Sequence, residues 1–352
     1  LLDDVRAVAR KLQHPAPSPD SRLDWAMTDL ARNVRGDDLP ALEVVDFLLG
    51  HYGIVEPSPH LLLSRVSAGG ESELRARARA EMAEMMRAAM PARVGIGVDR
   101  AGDQVYVALG LQEKHLELLA PIPRRLPHAG HAAIEARIER GYTNPAVVVT
   151  APDGRVHEET PPLVDGTVSS QLRCGADGRY QTEITANAAT GAAVLANFPV
   201  YCGVAPAARA PAAAGVRALA GTPEQAERQM IALVNRDRAR AGLAPVALDE
   251  RLTAIARAHS RDMAEHDFVG HVSPRTGNAM DRVRRAGLAP EMVMENVGRA
   301  YSAEEAETGF LTSPGHRGNI LDPHARRIGV GIVLGPPGSG ATPLFVTQLF
   351  TS

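Results

Sequence analysis

From Thr222 to the C-terminus the apolar positions recur at helical spacing and then become continuous. Thr222-Pro223-Glu224-Gln225 supplies an N-cap, a proline at the first helical position and a capping-box glutamine. Met230, Ile231 and Val234 follow at helical spacing. A second helix is predicted after Asp249, where Leu252, Ile255, Ala256, His259 and Met263 share one face. Asn278 to Ala286, closed by Gly287, and Ser302 to Leu311, opened by Ser302-x-x-Glu305, are the next two. Two apolar runs, Ile328 to Leu334 and Leu344 to Phe350, read as strands across a Gly/Pro-rich connection. Helices flanking a small sheet make this an α/β domain.

Upstream the period changes from helical to two. Ile134, Ala136 and Ile138 alternate with Glu135, Arg137 and Glu139, the pattern of a half-buried strand. Ala146 to Thr150, Val168 to Arg173, Tyr180 to Ala186 and Ala193 to Tyr201 are further strands. Short strands spaced by turns predict a small β-sandwich of immunoglobulin-like type at residues 114–205. The proline- and alanine-rich stretch at 206–221 reads as a semi-rigid linker, leaving 222–352 as the last domain.

Residues 1–113 read as a helical or α+β domain ending in two strands. Parts of it echo the C-terminal domain in the same order. Ser21-Arg22-Leu23 resembles Glu250-Arg251-Leu252, and Gly50-His51 resembles Gly270-His271. Arg65-Val66-Ser67-Ala68-Gly69 resembles Arg282-Val283-Arg284-Arg285-Ala286-Gly287, and Arg93-Val94-Gly95-Ile96-Gly97-Val98 resembles Arg327-Ile328-Gly329-Val330-Gly331-Ile332. The expectation is a diverged copy of the last domain, against an unrelated helical domain ending in a hairpin. The same strand order in both would be required.

Composition narrows the class. The chain has 352 residues, 45% hydrophobic and 22% charged, with a net charge of −3, so it shows neither a basic nucleic-acid footprint nor a membrane-spanning apolar run. It starts at Leu1 with no apolar leader-like run, so no signal peptide is visible and the route of export is open. Cys174 and Cys202 sit in strand-like sequence around a turn-rich stretch. An even pair there reads as one disulfide and an oxidising, extracytoplasmic compartment: secreted, periplasmic or cell-surface. Two buried thiols are the alternative.

Chemistry concentrates in the last domain. His259 lies on an apolar helix face and reads as a core histidine satisfied by a hydrogen bond. His271 and His316 sit beside glycine and serine in what read as loops, with Glu295-Asn296 between them in sequence. Two imidazoles and a carboxylate can fill three positions around a divalent ion and leave one open. The spacings match no short metal motif, so on the residues alone a hydrogen-bonded polar cleft is the simpler reading.

Several runs then carry a resemblance: Asn235-Arg236, Ala258-His259-Ser260-Arg261-Asp262-Met263-Ala264, Phe268-Val269-Gly270-His271, Glu295-Asn296-Val297-Gly298 and Ser313-Pro314-Gly315-His316-Arg317-Gly318-Asn319-Ile320-Leu321. In this order they resemble the bacterial branch of the CAP superfamily, over about residues 222–352. The resemblance implies an α-β-α sandwich, secretion or surface exposure, and a cleft lined by His271, His316 and Glu295, with Asn296, Ser313 and Arg317 as neighbours. It further implies a divalent metal, zinc being the first choice, and a lipid, sterol or peptide ligand in an apolar groove nearby. Three departures stand out: Met294 where glycine is usual, Phe310 where tryptophan is usual, and Ser313 where eukaryotic members place a second cleft glutamate. A binding protein is the leading reading. A metal-dependent hydrolase using the same cleft competes with it, weakened by the lack of a nucleophile elbow or a His-Glu-x-x-His helix. A surface adhesion module without metal is the third.

Overall fold

A computed structural model describes residues 1–33, 40–67, 69–211, 221–336 and 342–352. Most of the expected linker, residues 212–220, lies outside the described residues.

The C-terminal unit begins with α5 (Pro223–Arg240), whose capping box forms as its sequence predicts. Next come β13 (Ala247–Leu248), α6 (Glu250–His266), α7 (Ala279–Arg285) and β14 (Val293–Ala300). The unit ends with α8 (Ala303–Thr312), α9 (Pro314–Ile320), β15 (Arg327–Leu334) and β16 (Leu344–Thr351). The strands lie in the order β13-β15-β16-β14. Alternation along β15 sorts the two faces. Ile328, Val330 and Ile332 pack with Met230 and Val234 of α5 and Phe310 of α8. Gly329 and Gly331 face α6 so closely that a Cβ on either would lie within 2.2 Å of that helix's backbone. Arg238 of α5 is fully buried and donates to the carbonyls of Ile320 (2.8 Å) and Asp322 (2.9 Å), pinning the chain just after α9.

The N-terminal unit contains α1 (Leu2–Lys11), β1 (Ser18–Pro19), α2 (Ser21–Asn33), α3 (Leu42–His51), β2 (His60–Ser67), α4 (Glu71–Ala88), β3 (Arg93–Ala101) and β4 (Gln104–Gln112). Its strand order is β1-β3-β4-β2, with the same parallel and antiparallel pairings as the C-terminal sheet. Details repeat as well. Asp20 caps α2 at the Arg22 and Leu23 amides, as Asp249 caps α6 at Arg251 and Leu252. Gly95 and Gly97 press on Leu23 and Met27 of α2, as Gly329 and Gly331 press on Leu252 and Ala256. Two of the sequence echoes are therefore structurally equivalent and two are not. Gly50-His51 ends α3, whereas Gly270-His271 precedes α7, and Arg65-Val66 lies in a strand where Arg282-Val283 lies in a helix.

Between these units lie two further sheets. β5 (Leu116–Leu118), β7 (His131–Ile138) and β10 (Thr167–Arg173) form one, in the order β10-β7-β5. The other has the order β6-β12-β11-β8-β9, from β6 (Arg125–Leu126), β8 (Thr143–Thr150), β9 (Val156–Glu159), β11 (Gly178–Ala188) and β12 (Gly191–Cys202). Ile134, Ala136 and Ile138 share a core with Ile184, Leu195 and Phe198 of the other sheet, as their alternation predicts. Cys174 and Cys202 are joined in a disulfide.

Candidate functional site

The site grows from the C-terminal end of α6. His259 is fully buried, and its Nε2 lies 2.9 Å from the carbonyl of Gly270, tying the loop after the helix to the helix itself. Burial holds the His259 pKa below the ordinary imidazole value. That anchored loop carries His271, whose Nδ1 is 3.1 Å from Glu295 Oε1. The other carboxylate oxygen, Oε2, accepts from the Arg282 guanidinium of α7. Arg282 also donates to the carbonyls of His271 (3.2 Å) and Gly277 (2.6 Å), so one buried arginine holds both the histidine's backbone and its carboxylate partner. Burial pushes the Glu295 pKa up, but the His271 hydrogen bond and the Arg282 charge outweigh it and leave the carboxyl below its ordinary value.

His316 comes from the opposite wall. It is expected in a loop, but Pro314 at the first helical position and Ser313 at the N-cap start α9 there, so His316 lies on that helix's first turn. Glu295 and Asn296 likewise sit in a strand, β14, not a loop. The ring centroids of His316 and His271 are 6.4 Å apart, and the Phe310 ring meets His316 edge-on at 5.1 Å. Desolvation, with some help from nearby His271, pushes the His316 pKa down to about 3, so its imidazole is neutral at physiological pH. Asn296 Nδ2 donates to the His316 carbonyl (3.2 Å) and to Gln348 Oε1 (2.8 Å), while its Oδ1 accepts from Asn319 (2.8 Å). Gln348 in turn donates to Glu307 (2.9 Å). This buried chain of amides fixes α9 against β14 and β16.

His271, Glu295 and His316 thus converge; Asn296 holds the His316 carbonyl, while the Ser313 hydroxyl lies beside Glu183. Glu295 stands behind His271, with both oxygens engaged. Among the described residues no group of three or more His, Cys, Asp or Glu side chains is arranged to hold a metal ion. Two imidazoles remain as donors, one neutral by desolvation and one oriented through Nδ1 by a carboxylate, which is the second-shell arrangement of metal-bound histidines. Ser260 is spoken for structurally, at 2.9 Å from the Gly331 carbonyl and 2.8 Å from Thr347 Oγ1.

The sequence gives no warning that the central β-sheets reach this site. Val272 N–H donates to the Thr190 carbonyl (2.8 Å) at the β11–β12 turn. Glu183 of β11 is buried beside α9, where its Oε1 accepts from Gly315 N–H (3.3 Å). Burial pushes Glu183 up to about 7, against the neighbouring Ser313 hydroxyl and Gly315 amide. Arg317 lies against Gly154 of the β8–β9 turn. Arg282, Gln348 and Glu183 were not singled out from sequence. The signal available for Glu183 is a carboxylate between Thr182 and Ile184 at the centre of an expected strand. A cavity of about 420 Å³ lies elsewhere, between the N-terminal unit and the central sheets, lined by Arg22, Ile54, Ile122, Arg124 and Phe198 among others.

The cysteine-rich secretory protein family (CAP) matches residues 231–350. YkwD, an uncharacterised protein of Bacillus subtilis (strain 168), is 36% identical over 108 residues, 30% of this chain and 42% of that protein. YlbC, an uncharacterised membrane protein of the same organism, is 33% identical over 107 residues, 30% of this chain and 31% of its own length. The chain thus spans less than half of either relative. Among solved structures, an extracellular SCP-domain protein from Bacillus anthracis is 21% identical with a TM-score of 0.33, covering 52% of this chain and 63% of that one. The cysteine-rich secretory protein SAV1118 from Staphylococcus aureus is 10% identical with a TM-score of 0.30, covering 68% and 81%. With the motif residues in their places around one cleft, residues 231–350 are a CAP domain of the cysteine-rich secretory protein family.

Proposed function

We propose that the chain is an extracytoplasmic binding protein whose CAP cleft takes a divalent metal ion, zinc first, through His271 and His316. The observation that carries this reading is the pair itself: two imidazoles facing one another, one kept neutral by its surroundings and one backed by the Arg282-anchored Glu295. A bound ion would supply Lewis acidity and exchangeable coordination positions for a ligand. Glu295 orients the His271 ring and fixes its tautomer, and Asn296 holds the backbone of His316. Two protein donors imply a weak, exchangeable site, not a buried structural one. The Cys174–Cys202 disulfide supports an oxidising compartment. Among the described residues no helix is long and apolar enough to cross a membrane.

The N-terminal unit is read here as a second, diverged copy of the same fold, supported by the shared strand order and the shared glycine contacts. A zinc titration of metal-stripped protein, by calorimetry and melting temperature, tests the cleft. Saturable binding abolished in the His271→Ala/His316→Ala double variant is expected. No binding in either protein, or equal binding in both, overturns the metal reading.

A further inference from the structure

One hairpin of the central sheets touches both histidine-bearing segments. At its tip, the Thr190 carbonyl accepts from Val272 N–H at 2.8 Å, the residue directly after His271. The approach there is closer than any side chain would permit. A Cβ on Gly191 (φ +101°) would lie 2.8 Å from the His271 Cβ, and one on Gly270 would lie 2.6 Å from the Thr190 Cβ. Part-way along the same hairpin, the buried carboxylate of Glu183 accepts from Gly315 N–H, the residue directly before His316. A Cβ on Gly315 would come within 3.2 Å of that carboxylate oxygen.

Three glycines therefore leave room for one contact surface, and they belong to two different units of the chain. The chemistry of the seam is also unusual. The buried Glu183 carboxylate lies beside the Ser313 hydroxyl, and the neighbouring Arg317 Nε is buried with no hydrogen-bond partner. Leaving such a group unpaired costs stability. A mere spacer gains nothing by burying a carboxylate at this point, whereas an element that must grip α9 needs an acceptor there.

We infer that the β11–β12 hairpin is a strut that sets the separation of the two cleft imidazoles, with Glu183 a positioning residue for His316 and Thr190-Gly191 the matching grip on His271. The inference deepens the metal-binding reading and rests on it for its functional consequence. In consequence the CAP unit separated from the central sheets would hold its histidines less well than the whole chain does. Glu183→Gln keeps a side-chain oxygen to accept from Gly315, Glu183→Ala removes it, and Gly191→Val drives a branched side chain into His271 from a backbone conformation that valine resists.

The test uses the full chain, with zinc ion alone as the probe. Three quantities are followed: zinc affinity, amide exchange at Val272 and Gly315, and the imidazole resonances of His271 and His316. The expected result is a loss of zinc affinity of about 10–100-fold in Glu183→Ala and in Gly191→Val, the range typical of outer-shell partners. Faster exchange at Gly315 in the first and at Val272 in the second should accompany it, with Glu183→Gln staying close to wild type on all three. If wild-type protein binds no zinc, the metal reading fails. The strut then stands or falls on whether Glu183→Ala, but not Glu183→Gln, shifts the His316 resonances. Unchanged amide exchange in the variants, or faster exchange with unmoved histidine resonances and unmoved zinc affinity, overturns the strut.

Discussion

Replacing Arg282 by methionine probes the logic of the cleft most directly. Arg282 and Glu295 are both nearly inaccessible, their side chains 4% and 3% exposed, so solvent screening offers little relief. Removing one partner of such a pair strands the other as a buried charge and costs about 3–5 kcal/mol. The carbonyls of His271 and Gly277 lose their donor at the same time. The sign of the pH dependence follows from Glu295. In the wild type its folded pKa lies below the unfolded value, so it contributes stability above the unfolded value that is lost as pH falls through the folded one. In the variant the burial cost loses its main opposing charge, and the folded pKa moves above the unfolded value. Ionised Glu295 then costs stability as pH rises past the ordinary carboxylate range. The gap between wild type and variant should therefore be smallest in acid, where the cost of the lost carbonyl contacts remains, and grow towards neutrality. Urea unfolding of wild type, Arg282→Met, Glu295→Gln and the double variant from about pH 4 to pH 8 measures it. A gap that does not change with pH, or a double variant whose loss is the plain sum of the singles, refutes the reasoning.

Glu307 is buried and its pKa is pushed up to about 7, so its charge costs stability increasingly from the ordinary carboxylate value up to that point. Glu307→Gln should stabilise the protein by ~3 kcal/mol above pH 7 and hardly at all in acid, read from melting curves at the two extremes. Reducing the Cys174–Cys202 bridge, or changing both cysteines to serine, releases a loop of 28 residues' separation. That should cost ~3–4 kcal/mol in chemical unfolding on the chain-entropy argument. A methyl group on Gly331 would lie 2.1 Å from the Arg257 nitrogen, and one on Gly97 would lie 2.1 Å from Met27 C and Thr28 N. Because backbone cannot step aside as a rotamer can, Gly331→Ala and Gly97→Ala should each destabilise by at least about 1–3 kcal/mol, checked by urea midpoints.

What could be read from the chain follows from where each element's information lies. The N-caps at Thr222, Asp249 and Ser302 are local hydrogen-bond chemistry, so α5, α6 and α8 were legible from a few residues each. β7 was legible because one of its faces is solvent, which leaves a strict alternation. β14 was not. Its central residues Glu295, Asn296 and Val297 are all buried, two of them polar, and a strand buried on both sides with hydrogen-bonded polar residues shows no period. The start of α9, Ser-Pro-Gly, has the composition of a turn, and the partners it meets there, β14 and Glu183, come from distant parts of the chain. His271, Glu295 and His316 could be named from their residue types and neighbours, but their convergence could be expected only through the motif resemblance, because it is set by sheet register. Arg282 and Glu183 belong to no motif, since one serves a backbone and a carboxylate and the other joins two units of the chain.

The two similar sheets show what separates a fold from a site. Gly95 and Gly329 occupy matching places, each pressed on the first turn of its own unit's main helix through Leu23 and Leu252. Register carries the match across the sheet. Gly95 pairs with Gly110, which pairs with Leu61, while Gly329 pairs with Leu349, which pairs with Glu295. Leu61 and Leu62 therefore stand where β14 carries Glu295 and Asn296. With leucines there, these two register positions offer neither a carboxylate to orient an imidazole nor an amide to hold a facing helix. Its nearest histidine by sequence echo, His51, ends α3 and lies 3.4 Å from Arg124 of the central sheets. The glycine contacts that let helix meet strand are present in both units, where a Cβ at these positions would run into helix backbone. The polar pair lines a cleft in the C-terminal unit, while the same register positions of the N-terminal sheet hold leucines within the same strand order.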